Sequence, residues 1–186
     1  CVMGKRSSGK DTVYKKLKEQ YKEFRLIVPY TTRPIREGEK DGVEYYFVDP
    51  EQFRAMKEDG KVIESRSYNT KCGIWTYFTA DDGQIDLSAA DYLLIGTLVS
   101  YQALREYFGE EAIVPVYLEV EDGLRLARAL ERERRQEKPK YAEMCRRFLA
   151  DEEDFSEENL ERAGITKRFQ NTDLDQVTQE IASYMK

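Results

Sequence analysis

Seven residues near the start of the chain, Gly4-Lys5-Arg6-Ser7-Ser8-Gly9-Lys10, constrain the fold more than any other stretch. Cys1-Val2-Met3 before them reads as an apolar strand end, and Val13, Leu17 and Tyr21 behind them recur at helical spacing. Two glycines five apart and a lysine, between strand and helix, form the pattern of a phosphate-binding loop. Glycine lets the backbone turn so that successive N–H groups converge on phosphate oxygens, and the first helical turn adds its own unsatisfied N–H groups and the positive end of its dipole. Gly4, Lys5, Ser7, Ser8, Gly9, Lys10, Asp11 and Thr12 are therefore candidates for holding nucleotide phosphates, with Lys10 also a candidate catalytic cation. The general motif has Ser or Thr after the lysine, and here Asp11 stands there. Two readings of Asp11 stay open: a role beside Mg²⁺, with the cation between carboxylate and phosphates, or bonding to N–H groups of the first turn.

The pattern downstream is strand, helix and apolar strand in alternation, which argues an α/β fold with a mostly parallel sheet covered by helices. Phe24–Val28 reads as a strand, and Val43–Val48 as an edge or antiparallel one. Asp49-Pro50-Glu51 opens a short helix ending near Gly60, with Asp49 as N-cap. Val62–Tyr68 and Ile74–Thr79 read as strands joined by the turn Asn69-Thr70-Lys71, so the stretch 30–79 has the character of a sheet-rich insert. Tyr92–Ile95 and Ala112–Val120 read as buried strands, Leu98–Phe108 and Leu174–Tyr184 as helices, and Gly123–Asp154 as a charged helical region broken near Pro139.

Composition removes whole classes of chemistry. The 186 residues contain no His, which excludes histidine triads, histidine metal sites and imidazole acid–base catalysis. A net charge of -6 argues against a nucleic-acid-binding surface. The three cysteines, Cys1, Cys72 and Cys145, include no CxxC and suggest neither a disulfide framework nor a zinc site, which fits a cytoplasmic location. No apolar run is long enough to span a bilayer.

A second motif is more specific than the first. Pro29-Tyr30-Thr31-Thr32-Arg33-Pro34-Ile35-Arg36 places two guanidiniums three residues apart, with Tyr45 downstream. Each guanidinium offers a rigid donor fork suited to a phosphate monoester. Together with the phosphate loop, this stretch through Phe47, the segment Phe53–Glu64, the pair Arg146-Arg147 and the ending Asn171-Thr172-Asp173-Leu174-Asp175 resemble the guanylate kinase family. The resemblance runs along essentially the whole chain. It implies a P-loop three-layer core over 1–186, a nucleoside monophosphate-binding insert at 30–79 and a helical lid at 125–150. It implies phosphoryl transfer from ATP, with Mg²⁺, to GMP or dGMP. Two alternatives are a kinase for another small phosphorylated acceptor and a non-catalytic protein-binding module. The partner implied is a small nucleotide, without nucleic acid or membrane, and the protein is expected as a monomer or homodimer.

Carried over by position, Arg33, Arg36 and Tyr45 resemble the clamp on the acceptor phosphate, and Glu64 the acidic residue that reads guanine. A carboxylate can accept from guanine N1–H and the 2-amino group side by side, whereas adenine offers no such pair. The chain departs from the family at three places. Pro29 stands where a serine hydroxyl usually contacts the base, Cys72 where a phosphate-contacting tyrosine stands, and Leu93–Thr97 lacks the acidic groups of an LDxD-like segment.

The charged helical region carries the remaining candidates. A lid in this family supplies arginines over the transferring group, and Arg132, Arg134 or Arg135, with Arg146 or Arg147, could serve. The same arginines could equally pair with glutamates one turn away, as Arg135 with Glu131. Asn171 resembles the residue beside adenine, or caps the closing helix, a role for which Asp173 is the better candidate.

Overall fold

The computed structural model describes residues 1–70 and 73–185. It divides into two compact units, one of Cys1–Lys22, Ile95–Tyr101 and Val114–Lys186, the other of Glu23–Leu94 and Gln102–Ile113.

The first unit is built on a three-stranded parallel sheet of order β1-β8-β9: β1 (Val2–Gly4), β8 (Val116–Glu119) and β9 (Arg168–Gln170). Its register pairs Val2 with Val116 and Leu118 with Phe169, so strands far apart in sequence lie side by side. Val2, Met3, Val116, Leu118 and Phe169 are buried, as a parallel sheet covered on both faces requires. Helix α1 (Lys10–Gln20) buries Val13 and Leu17 and lies against α7 (Leu174–Tyr184), where Lys16 pairs with Asp175. Asp173 caps α7 by accepting from Gln176 N at 2.8 Å, as its sequence position suggested.

Between β8 and β9 the chain forms α4 (Asp122–Arg134), α5 (Tyr141–Asp154) and α6 (Glu157–Arg162). The break expected near Pro139 falls between α4 and α5. Glu133 staples it: Oε1 accepts from Lys140 N, and Oε2 from Gln136 Nε2 at 3.1 Å.

The second unit holds the two-stranded parallel sheet β2 (Arg25–Leu26) with β7 (Tyr92–Leu93) and a four-stranded sheet of order β4-β3-β6-β5. The latter joins β3 (Tyr30–Thr31), β4 (Tyr46–Phe47), β5 (Val62–Thr70) and β6 (Gly73–Ala80). Edge strand β4 pairs parallel to β3, whereas β6 runs antiparallel to both neighbours. Asn69 and Thr70, expected in a turn with Lys71, instead pair in the sheet, with Ile74 and Gly73, and Lys71 lies outside the described residues. Phe78 anchors this unit, stacked on Tyr30 at 4.9 Å and tilted against Phe53 at 4.8 Å. Helix α2 (Pro50–Glu58) starts with a capping box: Asp49 accepts from Glu51 N and Gln52 N while Gln52 reaches back to Asp49 N.

Helix α3 (Leu98–Phe108) spans residues of both units. The strand expected over 112–120 is shorter. Gly109, at φ 99, leads into a 3₁₀ turn at Glu110–Ala112, and Pro115 supplies no N–H, so pairing starts at Val116.

Candidate active site

The phosphate loop turns between β1 and α1. Gly9 adopts the left-handed region at φ 82, and a Cβ there would meet Asn171 Nδ2 at 2.5 Å, so only glycine fits. A Cβ on Gly4 would lie 2.7 Å from the carbonyl oxygen of Leu118 on β8. Asn171 does not cap α7. Its Nδ2 donates to Ser8 O at 2.7 Å and its own N–H donates to Glu119 O, tying the loop to the end of β9. Ser8 Oγ is buried with no hydrogen-bond partner among the described residues.

Lys10 is the first residue of α1, and burial lowers its pKa below the ordinary lysine value; Asp11 and Asp151 oppose that shift, while Arg6 and Arg132 reinforce it. Asp11 is exposed in the first turn, and no side chain caps α1. Beside the loop lies a cleft of about 480 Å³, lined by Ser7, Asp11, Thr12, Arg128, Arg132 and Thr172 among others. Arg132 Nη2 donates to Ser7 Oγ at 3.3 Å and Arg128 Nη1 to Ser7 O at 3.4 Å.

A charge network backs this cleft. Asp151, buried on α5, accepts from Arg6 N at 2.5 Å and Arg6 Nη1 at 2.6 Å. Arg125 is 1% exposed and donates to Arg6 O at 3.2 Å, Asp122 at 2.5 Å and Glu152 at 2.7 Å; Glu152 also takes Lys5 Nζ at 2.6 Å. Sequence reasoning singled out neither Arg125 nor Asp151 as part of the loop's support. The signal was present: Arg125, Arg128 and Arg132 are spaced three and four apart, which puts them on one face of α4.

The other arginine candidates are placed differently. Arg135 pairs with Glu131 as the spacing suggested, and Arg146 and Arg147 both bond to Glu143, at 2.7 and 2.6 Å. Arg134 is exposed at the end of α4. Only Arg132 of these lies at the cleft.

The second unit gathers Arg33, Tyr45 and Glu64 on one face of its four-stranded sheet. Arg33 is 4% exposed, forked onto Glu39 at 2.6 and 2.8 Å, and lies over the rings of Tyr45 at 5.0 Å and Phe47 at 5.3 Å. Tyr45 meets Tyr77 edge-on at 5.7 Å. Its hydroxyl pKa is raised, mainly by burial, with the charges of Arg33 and Arg66 pulling the other way. Arg36 is exposed, its backbone N–H donating to Glu39 at 2.9 Å.

Glu64 reaches this face through a β-bulge. The register slips between Val62, opposite Ala80, and Glu64, opposite Thr79. Without that extra residue Glu64 would oppose Phe78 and point to the other face. Instead its carboxylate, 3% exposed, accepts from Thr79 Oγ1 at 2.9 Å and from Arg66 at 3.0 and 3.3 Å. Cys72 lies outside the described residues.

Among the described residues no cluster of three or more Asp, Glu or Cys is arranged to hold a metal, and no helix is long and apolar enough to cross a membrane.

Comparison with known proteins agrees with this layout. Residues 1–74 match the family model described as guanylate kinase. The guanylate kinase of Legionella pneumophila (strain Lens) is 50% identical over 56 residues, 30% of this chain and 27% of that protein. That of Frankia casuarinae is 48% identical over 63 residues, 34% of each chain. The matched stretches thus span only 27% and 34% of those relatives' own lengths. The crystal structure of guanylate kinase from Anaplasma phagocytophilum superposes with a TM-score of 0.65 at 22% identity, covering 99% of this chain and 82% of that one. Residues 1–74 thus match the guanylate kinase family model, and the chain along its length has the P-loop nucleoside monophosphate kinase fold of that solved structure.

Proposed function

We propose that this protein transfers the terminal phosphoryl group of ATP to GMP or dGMP, giving ADP and GDP or dGDP. The observation that carries the reading is the pairing of two sites in one chain: a phosphate loop with desolvated Lys10, and a sheet face bearing buried Arg33 and buried Glu64.

On this reading the loop N–H groups, Ser8 Oγ and Lys10 hold the donor phosphates. Arg132 and Arg128 add positive charge at the cleft where negative charge builds up in transfer. Arg33, Arg36 and Tyr45 hold the acceptor phosphate, which competes with Glu39 for the Arg33 fork. Glu64 accepts from the guanine N1–H. Asp11 and Thr12 offer the oxygen ligands that suit Mg²⁺, which keeps several waters and needs few protein groups. When bound, Mg²⁺ neutralises charge on the donor phosphates. Direct transfer needs neither a covalent intermediate nor a histidine, since positioning and electrostatics supply most of the acceleration.

Assaying ADP and GDP formation from ATP, Mg²⁺ and GMP tests the proposal. Turnover should fall by about 10²–10³ in Lys10→Ala. Wild-type turnover no higher than that of Lys10→Ala ends it.

A further inference from the structure

The partner of Glu64 bears on which acceptor base the pocket takes. Arg66 follows Glu64 by two positions on β5, so the two side chains share a face. Arg66 Nε donates to Oε2 at 3.0 Å and Nη2 to Oε1 at 3.3 Å, a side-on fork; Thr79 Oγ1 also donates to Oε1 at 2.9 Å. The Arg66 side chain is 21% exposed against 3% for Glu64, so the guanidinium forms the outer part of the pair.

An ionised carboxylate has about four lone-pair sites. Among the described residues, Arg66 and Thr79 take three of them. What remains accepts one N–H from a base, not two. The pocket therefore presents one acceptor beside a cationic donor. A 6-oxopurine matches this pair, with N1–H as donor and O6 next to it as acceptor. Adenine reverses both, with an unprotonated N1 and a 6-amino group. A guanidinium is well suited to the O6 and N7 of such a ring.

We infer that Arg66 is a specificity-determining residue that donates to the 6-oxo group, and that this pocket takes 6-oxopurine nucleoside monophosphates as a class, with little reading of the 2-amino group. The inference rests on the proposed monophosphate pocket but not on catalysis. Removing Arg66 has two opposite consequences. The O6 donor is lost, and two acceptor sites on Glu64 are released, so the 2-amino group becomes readable.

Calorimetric titration of wild type, Arg66→Ala and Arg66→Lys with GMP, inosine monophosphate and AMP tests this. Wild type should bind GMP and inosine monophosphate within about threefold of each other, and AMP about tenfold or more weaker. In Arg66→Ala the preference for GMP over AMP should shrink while the preference for GMP over inosine monophosphate grows. A purely structural ion pair would move neither ratio. Arg66→Lys, which keeps the charge beside buried Glu64 but not the fork, should shift both ratios the same way by less, and it stands in if the alanine variant does not fold. Wild type preferring GMP over inosine monophosphate by tenfold or more overturns the inference, as do ratios unchanged in both variants. Wild type binding none of the three overturns the monophosphate pocket along with it. Binding in the stated ratios without phosphoryl transfer upholds the inference and removes only the kinase proposal.

Discussion

Arg33 and Glu39 meet in a two-point fork, Nη2 to Oε1 at 2.6 Å and Nη1 to Oε2 at 2.8 Å, with the guanidinium almost wholly buried. On the proposed function, the carboxylate occupies the guanidinium edge that an acceptor phosphate needs. Glu39→Gln leaves Arg33 with one good acceptor where it had two, and should destabilise the protein by about 2 kcal/mol, the scale of a hydrogen bond to a charged group. Inorganic phosphate should then raise the Tm of the variant more than that of wild type, because it supplies the missing charge. Equal phosphate shifts in both proteins would show that Arg33 is not a phosphate ligand.

The same fork fixes a response to acid. Arg33 holds the Glu39 carboxyl at about 2, against an ordinary value of 4.5, and Arg146 and Arg147 hold Glu143 at about 2. A carboxyl whose folded pKa is depressed stabilises the protein fully above its unfolded value, and loses that contribution as pH falls from about 4.5 toward 2. Glu143 and its arginines are solvent-exposed, so their share is small. Carboxyl carbon shifts followed by NMR should place both midpoints well under 4; midpoints near 4.5 would remove these pairs from the account of acid stability.

Glu64→Gln keeps the shape of the side chain but turns one acceptor into a donor. On the proposed function, that donor faces either a base N–H or Arg66, a buried mismatch of roughly 1–3 kcal/mol. GMP kcat/KM should drop by about one to two decades, with the KM for ATP little changed. An unchanged ratio of GMP to AMP turnover would mean that the base is read elsewhere.

Arg125 joins the loop carbonyl of Arg6 to Asp122 and Glu152, with its guanidinium 4.6 Å from the Phe148 ring. Arg125→Met keeps the volume and leaves those acceptors uncompensated, which should cost about 3–5 kcal/mol in urea unfolding. A loss under about 1 kcal/mol would place the network with ordinary surface pairs. The variant should also bind ATP analogues more weakly, since the loop loses a support.

The parts legible in the sequence are those set by local pattern. The phosphate loop, the N-cap at Asp49, the break near Pro139 and the closing helix with its Asp173 cap all depend on residues within a few positions of each other. What spacing could not convey is where partners distant in sequence lie. Asp151 is 145 residues from the Arg6 N–H it accepts, and Arg125 is 119 from the carbonyl it supports. The bulge that turns Glu64 onto the face of Tyr77 and Arg66 is likewise invisible to an alternating pattern, because a single added residue reverses the face on which every later side chain lies. The shortened strand before Val116 follows from Gly109 and Pro115, whose effect on pairing the run of Val and Ile concealed.

The register of the phosphate-loop unit also sets an order of assembly. β5 and β6 pair within a single hairpin, a short closure available as soon as both have been synthesised. β1 must wait. Its partner Val116 lies more than a hundred residues downstream, and the carbonyl of Ser8 is held only when Asn171 arrives. On a chain growing from its N-terminus, the sheet of β5 and β6 can close while the phosphate loop is still slack. The phosphate loop, although translated before Val116 and Asn171, is thus completed only after both, and a ribosome-bound chain halted before residue 170 should carry a formed hairpin and, on the proposed function, no ATP affinity.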